Sequence, residues 1–140
     1  MKIRGASLVG AFAVMVCAGS AQDKPAPVVP PGVASGKQTF MEHCTSCHGM
    51  DGRGNGPLSS MLKAPPPDLR TLAMRHDGKF PEEYVSRVVR FGNAITAHGT
   101  SEMPVWGPIF SMQEHGNEAN VRKLIKQLCE YLASIQDKET

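Results

Sequence analysis

Residues 44–48 read Cys44-Thr45-Ser46-Cys47-His48 and form a C-x-x-C-H motif, which decides how the chain is interpreted. Two thiols three positions apart can each add to one vinyl group of a single haem, and the adjacent imidazole can ligate the iron from one face. The motif therefore predicts one covalent haem c, attached through Cys44 and Cys47, with His48 as an axial ligand. Such a cofactor predicts a redox protein.

The same cysteine spacing also occurs in zinc sites and in dithiol redox sites. A structural zinc site needs four ligands, commonly from two separated pairs, but the neighbouring ligands here are only His43 and His48. A thioredoxin-like site requires a βαβ setting, and no strand pattern precedes Cys44. The spacing favours haem, with zinc and dithiol chemistry as the alternatives.

The N-terminus has the pattern of an export signal. Lys2 and Arg4 form a basic region, and residues 8–18 form an apolar run that is short for a bilayer span. Small residues follow, and we expect cleavage after Ala21, so that residues 1–21 are a signal peptide and the mature protein is periplasmic or otherwise exported. Haem c is attached outside the cytoplasm, so export and the C-x-x-C-H motif support each other.

Three alternatives apply to this segment. Cleavage after Ser20 fits nearly as well as cleavage after Ala21. Lipidation at Cys17, or an uncleaved signal, would tie the protein to a membrane. Val16 is bulky at the position where lipoprotein processing prefers a small residue, so a membrane association is expected only if one of these two events occurs.

The charge balance gives no reason to expect a nucleic-acid partner. The full chain has 15 Lys+Arg and 13 Asp+Glu, and residues 1–21 contain two of the basic residues and none of the acidic ones. The mature chain is therefore formally neutral, and the haem propionates would make it slightly acidic. The basic pI comes from the signal, so it does not indicate nucleic-acid binding.

The mature chain divides into a tether and one small domain. Residues 22–32 are rich in proline and predict an extended tether without a core. Residues 33–137 have the length of a single domain, which a covalently bound haem would stabilise. Cys129 remains after the motif has used two cysteines, and its place beside an apolar helical stripe predicts a buried free thiol.

The first half of the domain predicts one helix and a long loop. The helix starts at Ser35 or Gly36 and continues through Phe40 into the motif. Residues 46–58 contain four glycines and predict a loop. After three consecutive prolines, Asp68 is a good N-cap for a short turn.

Two helices are predicted in the second half, and no segment alternates like a strand, so the fold class is all-α. Pro81 suits the first position of a helix that ends at Gly92 and places Tyr84, Val88 and Phe91 on one face. The last helix is the clearest because its apolar residues follow i, i+3, i+4, i+7 spacing. These residues are Val121, Leu124, Ile125, Leu128, Leu132 and Ile135.

A six-coordinate haem needs a ligand on its second face. The candidates are Met61, Met74, Met103 and Met112, with His76, His98 and His115 for a bis-histidine site. Met103 has the best context, because residues 102–107 form a loop between the two later helices and Pro104 disfavours helix at Met103. The other three methionines are expected to fill the core.

The strings CTSCHGMDGRGNGP, PPPDL, MPVWG and LCEYL, in this order, resemble the class I cytochromes c, the small monohaem proteins of bacteria. The resemblance covers roughly residues 33–136. It implies a small all-α fold in which the first and last helices cross, with shorter helices and loops around one covalent haem. It also implies that His48 and Met103 are the proximal and distal ligands.

Further roles follow from the resemblance alone. Pro57 matches the proline whose carbonyl receives the proximal imidazole N–H, and Trp106 matches a tryptophan that packs on the haem. Gly36 and Phe40 match the pair that crosses the last helix near Leu128 and Tyr131. Residues 114–117 and 96–100 depart from the family pattern, and His98 in the second of these could lie near the haem or be an ordinary loop histidine.

These features predict a one-electron carrier, free or as a subunit of an oxidoreductase complex. Filled axial positions let the iron alternate between Fe(III) and Fe(II) without binding substrate, and no catalytic residues are predicted. Redox partner proteins would dock transiently on a monomer. The alternative is a haem enzyme, or a sensor of peroxide or gas, in which Met103 is displaceable.

Overall fold

The structure is a computed structural model and describes residues 29–92 and 102–138. The predicted signal peptide with Cys17, the tether as far as residue 28, and His98 lie outside these residues. Five α-helices are present in the described ranges: α1 (Pro31–His43), α2 (Thr45–His48), α3 (Glu82–Phe91), α4 (Trp106–Gln113) and α5 (Glu118–Ser134). Three 3-10 turns cover Ser59–Met61, Leu69–Thr71 and Met74–His76. These ranges contain no strand, which confirms the all-α prediction.

The first and last helices form the main contact of the fold. A Cβ atom at Gly36 of α1 would meet the backbone carbonyl of Gln127 and lie 2.9 Å from Cβ of Tyr131, so only glycine allows the two backbones to come this close. One turn later, the Phe40 and Tyr131 rings are 5.3 Å apart. The predicted crossing of Gly36 and Phe40 with the last helix is confirmed.

Helix α1 begins earlier than the sequence indicated. Its first residue is Pro31, so the last two residues of the predicted tether belong to the helix. Proline is well suited to this position, because its fixed φ matches the helix and the first N–H groups have no intrahelical partner. The prediction of Ser35 or Gly36 as the start relied on later residues and missed this signal.

Helix α5 buries most of the predicted stripe, while Leu124 and Ile135 are only partly buried. Asn117 caps it by accepting hydrogen bonds from the backbone N–H groups of Ala119 and Asn120 at 3.1 and 3.2 Å. The buried side chains are Val121, Ile125, Leu128, Cys129, Tyr131 and Leu132. Cys129 is a buried free thiol, as expected, and burial, followed by the nearby carboxylates of Glu82 and Glu130, raises its pKa to about 12.

Helix α3 has a different buried face from the predicted one. It begins at Glu82, directly after Pro81, and stops at Gly92, which adopts a φ of 77°. Val85 and Val89 are buried in place of Phe91, which is 64% exposed. The helix packs against both α4 and α5, and Tyr84 and Val88 of the predicted face are partly buried in the wall of a cavity.

Helix α4 begins inside the segment 102–107 that was predicted as loop, and no element was predicted for its remaining residues. Gly107 and Pro108 lie in its first turn, where proline removes no intrahelical hydrogen bond. Gly107 lies against the backbone of Arg90, where a Cβ would be 3.2 Å from the carbonyl carbon. The glycine therefore brings α4 close to α3.

The residues after α5 hold the 3-10 turn at Leu69–Thr71 in place. Asp68 caps this turn, as predicted, by accepting the N–H of Arg70 at 2.8 Å. The side chain of Gln136 donates to the carbonyl of Leu69 at 2.8 Å, and Asp137 forms an ion pair with Arg70. None of the helices in the described ranges is both long enough and apolar enough to cross a bilayer.

Candidate functional site: a cavity above the C-x-x-C-H turn

The motif forms a single helical turn at the end of α1. Cys44 links α1 to α2, and the N–H of His48 donates to the carbonyl of Cys44 at 2.8 Å. Residues three apart on a helix lie on one side, so the half-buried side chains of Cys44 and Cys47 both line the same cavity. Burial, followed by the neighbouring Cys47, raises the pKa of Cys44 to about 12.

The glycine-rich loop holds this turn through its backbone. Gly54, Gly56 and Leu58 donate to the carbonyls of His48, Cys47 and Ser46 at 2.8, 3.1 and 2.8 Å. These are the carbonyls that a short helix leaves without intrahelical partners. The loop therefore fixes the backbone of the motif with three consecutive hydrogen bonds.

His48 is oriented by a carbonyl from a distant segment. The ring is 8% exposed, and its Nδ1 lies 3.3 Å from the backbone oxygen of Pro67. A carbonyl only accepts, so Nδ1 carries the proton and donates, which leaves the Nε2 lone pair available for a metal. Burial lowers the pKa of His48 and outweighs the Pro67 hydrogen bond, which acts in the opposite direction. The lowered pKa favours the neutral imidazole, which is the form that can ligate a metal.

The assignment of Pro57 as this acceptor is wrong. Pro57 is exposed, and the acceptor is Pro67, the last of three consecutive prolines. Gly54 explains the position of these prolines, because a Cβ there would meet the carbonyl of Pro66 and lie 3.4 Å from the carbonyl carbon of Pro67. The sequence signal for this acceptor was the PPPDL string, because Pro67 directly precedes the cap residue Asp68 and its carbonyl is free to accept the imidazole N–H.

The motif opens into a cavity of about 650 Å³. This volume lies within the range of about 300–1,000 Å³ that is usual for small-molecule and cofactor sites. Its apolar wall comes from α1, α3, α5 and the turns between them. The apolar residues are Phe40, Leu69, Leu72, Val85, Val88, Val89, Leu128 and Leu132.

Met103 lies in the wall of the same cavity. It is half-buried and follows Glu102 just before α4. The expectation that Met61, Met74 and Met112 fill the core is wrong, because they are 77%, 49% and 77% exposed. Among the described methionines, Met103 is the one whose side chain lines the cavity.

An aromatic cluster closes the cavity beside the motif. Trp106 stacks on Phe110 with ring centroids 5.7 Å apart, and the His43 ring lies 5.3 Å from each of them. Trp106 and His43 both line the cavity. Trp106 is therefore placed where packing on a haem is feasible, and His43 is a wall residue that the sequence suggested only as a zinc ligand.

Charged groups lie at the rim of the cavity. Arg75 lines it while its guanidinium donates to the backbone oxygens of Asp68 and Thr71 at 2.6 and 3.3 Å. Lys63 provides a second cation and Glu102 an anion. A haem carries two carboxylates, so the apolar wall, the cysteine pair, the histidine and these two cations fit its chemistry.

The zinc alternative receives no support from residues 29–92 and 102–138. Within these ranges, no three side chains among His, Cys, Asp and Glu are placed to share a metal ion. His43, which the zinc hypothesis required, faces Trp106 and Phe110.

Two comparisons with known proteins bear on the site. The family model described as Cytochrome c matches residues 33–135, which include the motif, the triproline segment, Met103 and all of α5. No curated protein matches the chain.

Proposed function

This chain belongs to the cytochrome c family, whose members bind covalent haem c and carry electrons, and from this premise we propose that it is an exported one-electron carrier with His48 and Met103 as its axial ligands. Bound haem supplies an iron that alternates between Fe(III) and Fe(II). One observation carries the proposal: His48 and Met103, distant in sequence, line the cavity into which Cys44 and Cys47 point.

In this proposal the two cysteines attach the cofactor. Cys44 and Cys47 would hold the haem: each thiol would add S–H across one vinyl group, with a carbon–sulfur bond formed and the proton placed on the neighbouring vinyl carbon. The hydrogen bonds from Gly54, Gly56 and Leu58 fix the turn that carries both thiols, so their spacing is already set. Attachment of haem c outside the cytoplasm supports a periplasmic location for the mature protein.

The two axial ligands favour electron transfer over substrate chemistry. His48 is held neutral and oriented by Pro67, and a thioether such as that of Met103 favours ferrous iron and raises the potential. With both positions filled, the iron has no open site for substrate. The partners are then redox proteins that dock transiently with the monomer through a small interface.

Optical spectroscopy tests the proposal. Pyridine haemochrome analysis of the purified protein should give one covalent haem per chain. The oxidised protein at neutral pH should be low-spin and show the weak far-red band of Met–iron ligation. A high-spin spectrum that changes with cyanide or peroxide at low concentration would contradict the carrier and favour a haem enzyme or sensor.

A further inference from the structure

One hydrogen bond joins two sides of the cavity that no element of secondary structure connects. The Glu102 carboxylate accepts the backbone N–H of Lys63, with Oε2 2.6 Å from the nitrogen. Both residues line the cavity. The contact links the segment before the three prolines to the segment that carries Met103, and we call it the Lys63–Glu102 clasp.

The N–H of Lys63 is available because the chain has just left a 3-10 turn. Leu62 closes that turn by donating to the carbonyl of Ser59, and its φ and ψ of −87° and 147° are extended. The next N–H, that of Lys63, has no partner inside the turn and is free to donate to a group outside it. A carboxylate is a strong acceptor for it, because charge-assisted hydrogen bonds exceed neutral ones in strength.

The clasp acts directly beside Met103. Glu102 fixes the chain on one side of the methionine. On the other side, Pro104 restricts the backbone of Met103, and α4 begins two residues later at Trp106. Met103 thus lies between two restrained neighbours, and within residues 29–92 and 102–138 the Glu102 side chain is restrained by the hydrogen bond to Lys63.

We propose that Glu102 is a positioning residue that keeps Met103 at the iron and so limits access of external ligands to the ferric protein. This inference rests on the proposed function, because it requires Met103 to be the ligand. When the clasp breaks, the segment moves away from the iron more often. An external ligand then binds with an apparent affinity that rises in proportion to this open fraction.

Imidazole titration of the ferric holoprotein measures the open fraction. Glu102→Ala removes the acceptor and should tighten apparent imidazole binding by about three- to tenfold. The expected change is moderate because the carboxylate is exposed, and exposed charged contacts contribute little free energy. Glu102→Gln keeps a neutral acceptor oxygen and should give an intermediate value. Glu83→Gln, on the exposed first turn of α3, should bind imidazole like the wild type.

The donor side gives an independent pair of variants. Lys63→Pro deletes the N–H and should tighten imidazole binding as Glu102→Ala does. The fold should accept this proline, because the backbone of Leu62 already has the extended conformation that a following proline requires. Lys63→Ala keeps the N–H and is its reference, since it removes only the side chain. The difference between these two variants isolates the hydrogen bond from the lysine charge.

Amide hydrogen exchange in the ferrous holoprotein reports the clasp itself. The N–H of Lys63 should be protected in the wild type and exchange at least about tenfold faster in Glu102→Ala. Equal exchange rates of the Lys63 N–H in the wild type and Glu102→Ala would overturn the clasp. Imidazole affinity that is unchanged in both Glu102→Ala and Lys63→Pro would do the same. In either case a Met–iron band in the wild type would leave the proposed function intact. A wild type that lacks the band and binds imidazole like Met103→Ala would overturn the Met103 assignment, and the inference with it.

Discussion

The Nδ1 atom of His48 lies 3.3 Å from the carbonyl oxygen of Pro67, so a histidine at the end of the motif is oriented by the last of three consecutive prolines. An imidazole that donates to a carbonyl becomes a more basic ligand through its other nitrogen. With His48 as the proposed iron ligand, the more basic imidazole would favour ferric iron. The hydrogen bond would then set part of the reduction potential.

Pro67→Ala keeps the carbonyl but frees the backbone that aims it. The weaker hydrogen bond should raise the midpoint potential by about 20–60 mV, which is up to a tenfold change in a one-electron equilibrium. Potentiometric titration measures this shift. Pro57→Ala is the matched control, because Pro57 is exposed, and a larger shift for Pro57→Ala than for Pro67→Ala would contradict the assignment of the acceptor.

Met103→Ala should abolish the far-red Met–iron band and lower the midpoint potential by about 100 mV or more, a modest part of the roughly 0.8 V range that axial ligands span. Met112→Ala is the control, since this methionine is 77% exposed and lies outside the cavity wall. If Met103→Ala keeps both the band and the potential, another methionine is the ligand, and Met74 is the next to replace. A wild type that lacks the band would point to His98 instead.

The pH dependence of stability should follow His48. Burial lowers its folded-state pKa below the usual 6.5, so between that lowered value and about 6.5 the unfolded chain binds more protons than the folded one. Stability is therefore full above about pH 6.5 and falls as the pH drops through this window. Ligation of iron by His48, as proposed, would strengthen the effect, because the metal and the proton compete for Nε2.

Urea unfolding of the holoprotein at pH 7 and pH 5 measures this loss as a lower midpoint. His115→Asn is the control, because His115 is exposed, and its positive φ of 52° is one that asparagine tolerates. If the pH dependence disappears in His115→Asn, the surface histidine and not His48 is responsible.

Gly36→Ala should destabilise the fold by about 1–3 kcal/mol, although alanine is the better helix former. The new methyl group meets the backbone of Gln127, which cannot move without separating α1 from α5. Gly32→Ala lies on the same helix but meets the end of the Glu130 side chain, which can rotate away. Thermal unfolding should therefore show a lower midpoint for Gly36→Ala and an equal or higher one for Gly32→Ala.

Local signals in the sequence predicted the parts of the site that depend on spacing. The C-x-x-C-H turn needs only five residues, and the α5 stripe needs only its period. Met103 was selected because Pro104 excluded helix beside it. These features do not depend on how distant segments meet, so they could be read directly from the chain.

The acceptor of the His48 proton could not be predicted in this way. Pro57 and Pro67 both follow the motif, and the choice between them depends on where Gly54 lets the loop approach Pro66. Helix α4 was missed for a related reason. Its place in the fold depends on the close approach of Gly107 to the backbone of Arg90, which no local pattern shows.

His48 is restrained at both ends, since its backbone carbonyl accepts the N–H of Gly54 and its ring donates to Pro67. With His48 as the proposed iron ligand, this double restraint would keep the imidazole in position when the iron changes oxidation state. The nuclear rearrangement that accompanies each electron transfer would then be small at this coordination bond, and a small rearrangement lowers the activation barrier. We expect rapid electron self-exchange between two molecules of this protein as the kinetic consequence.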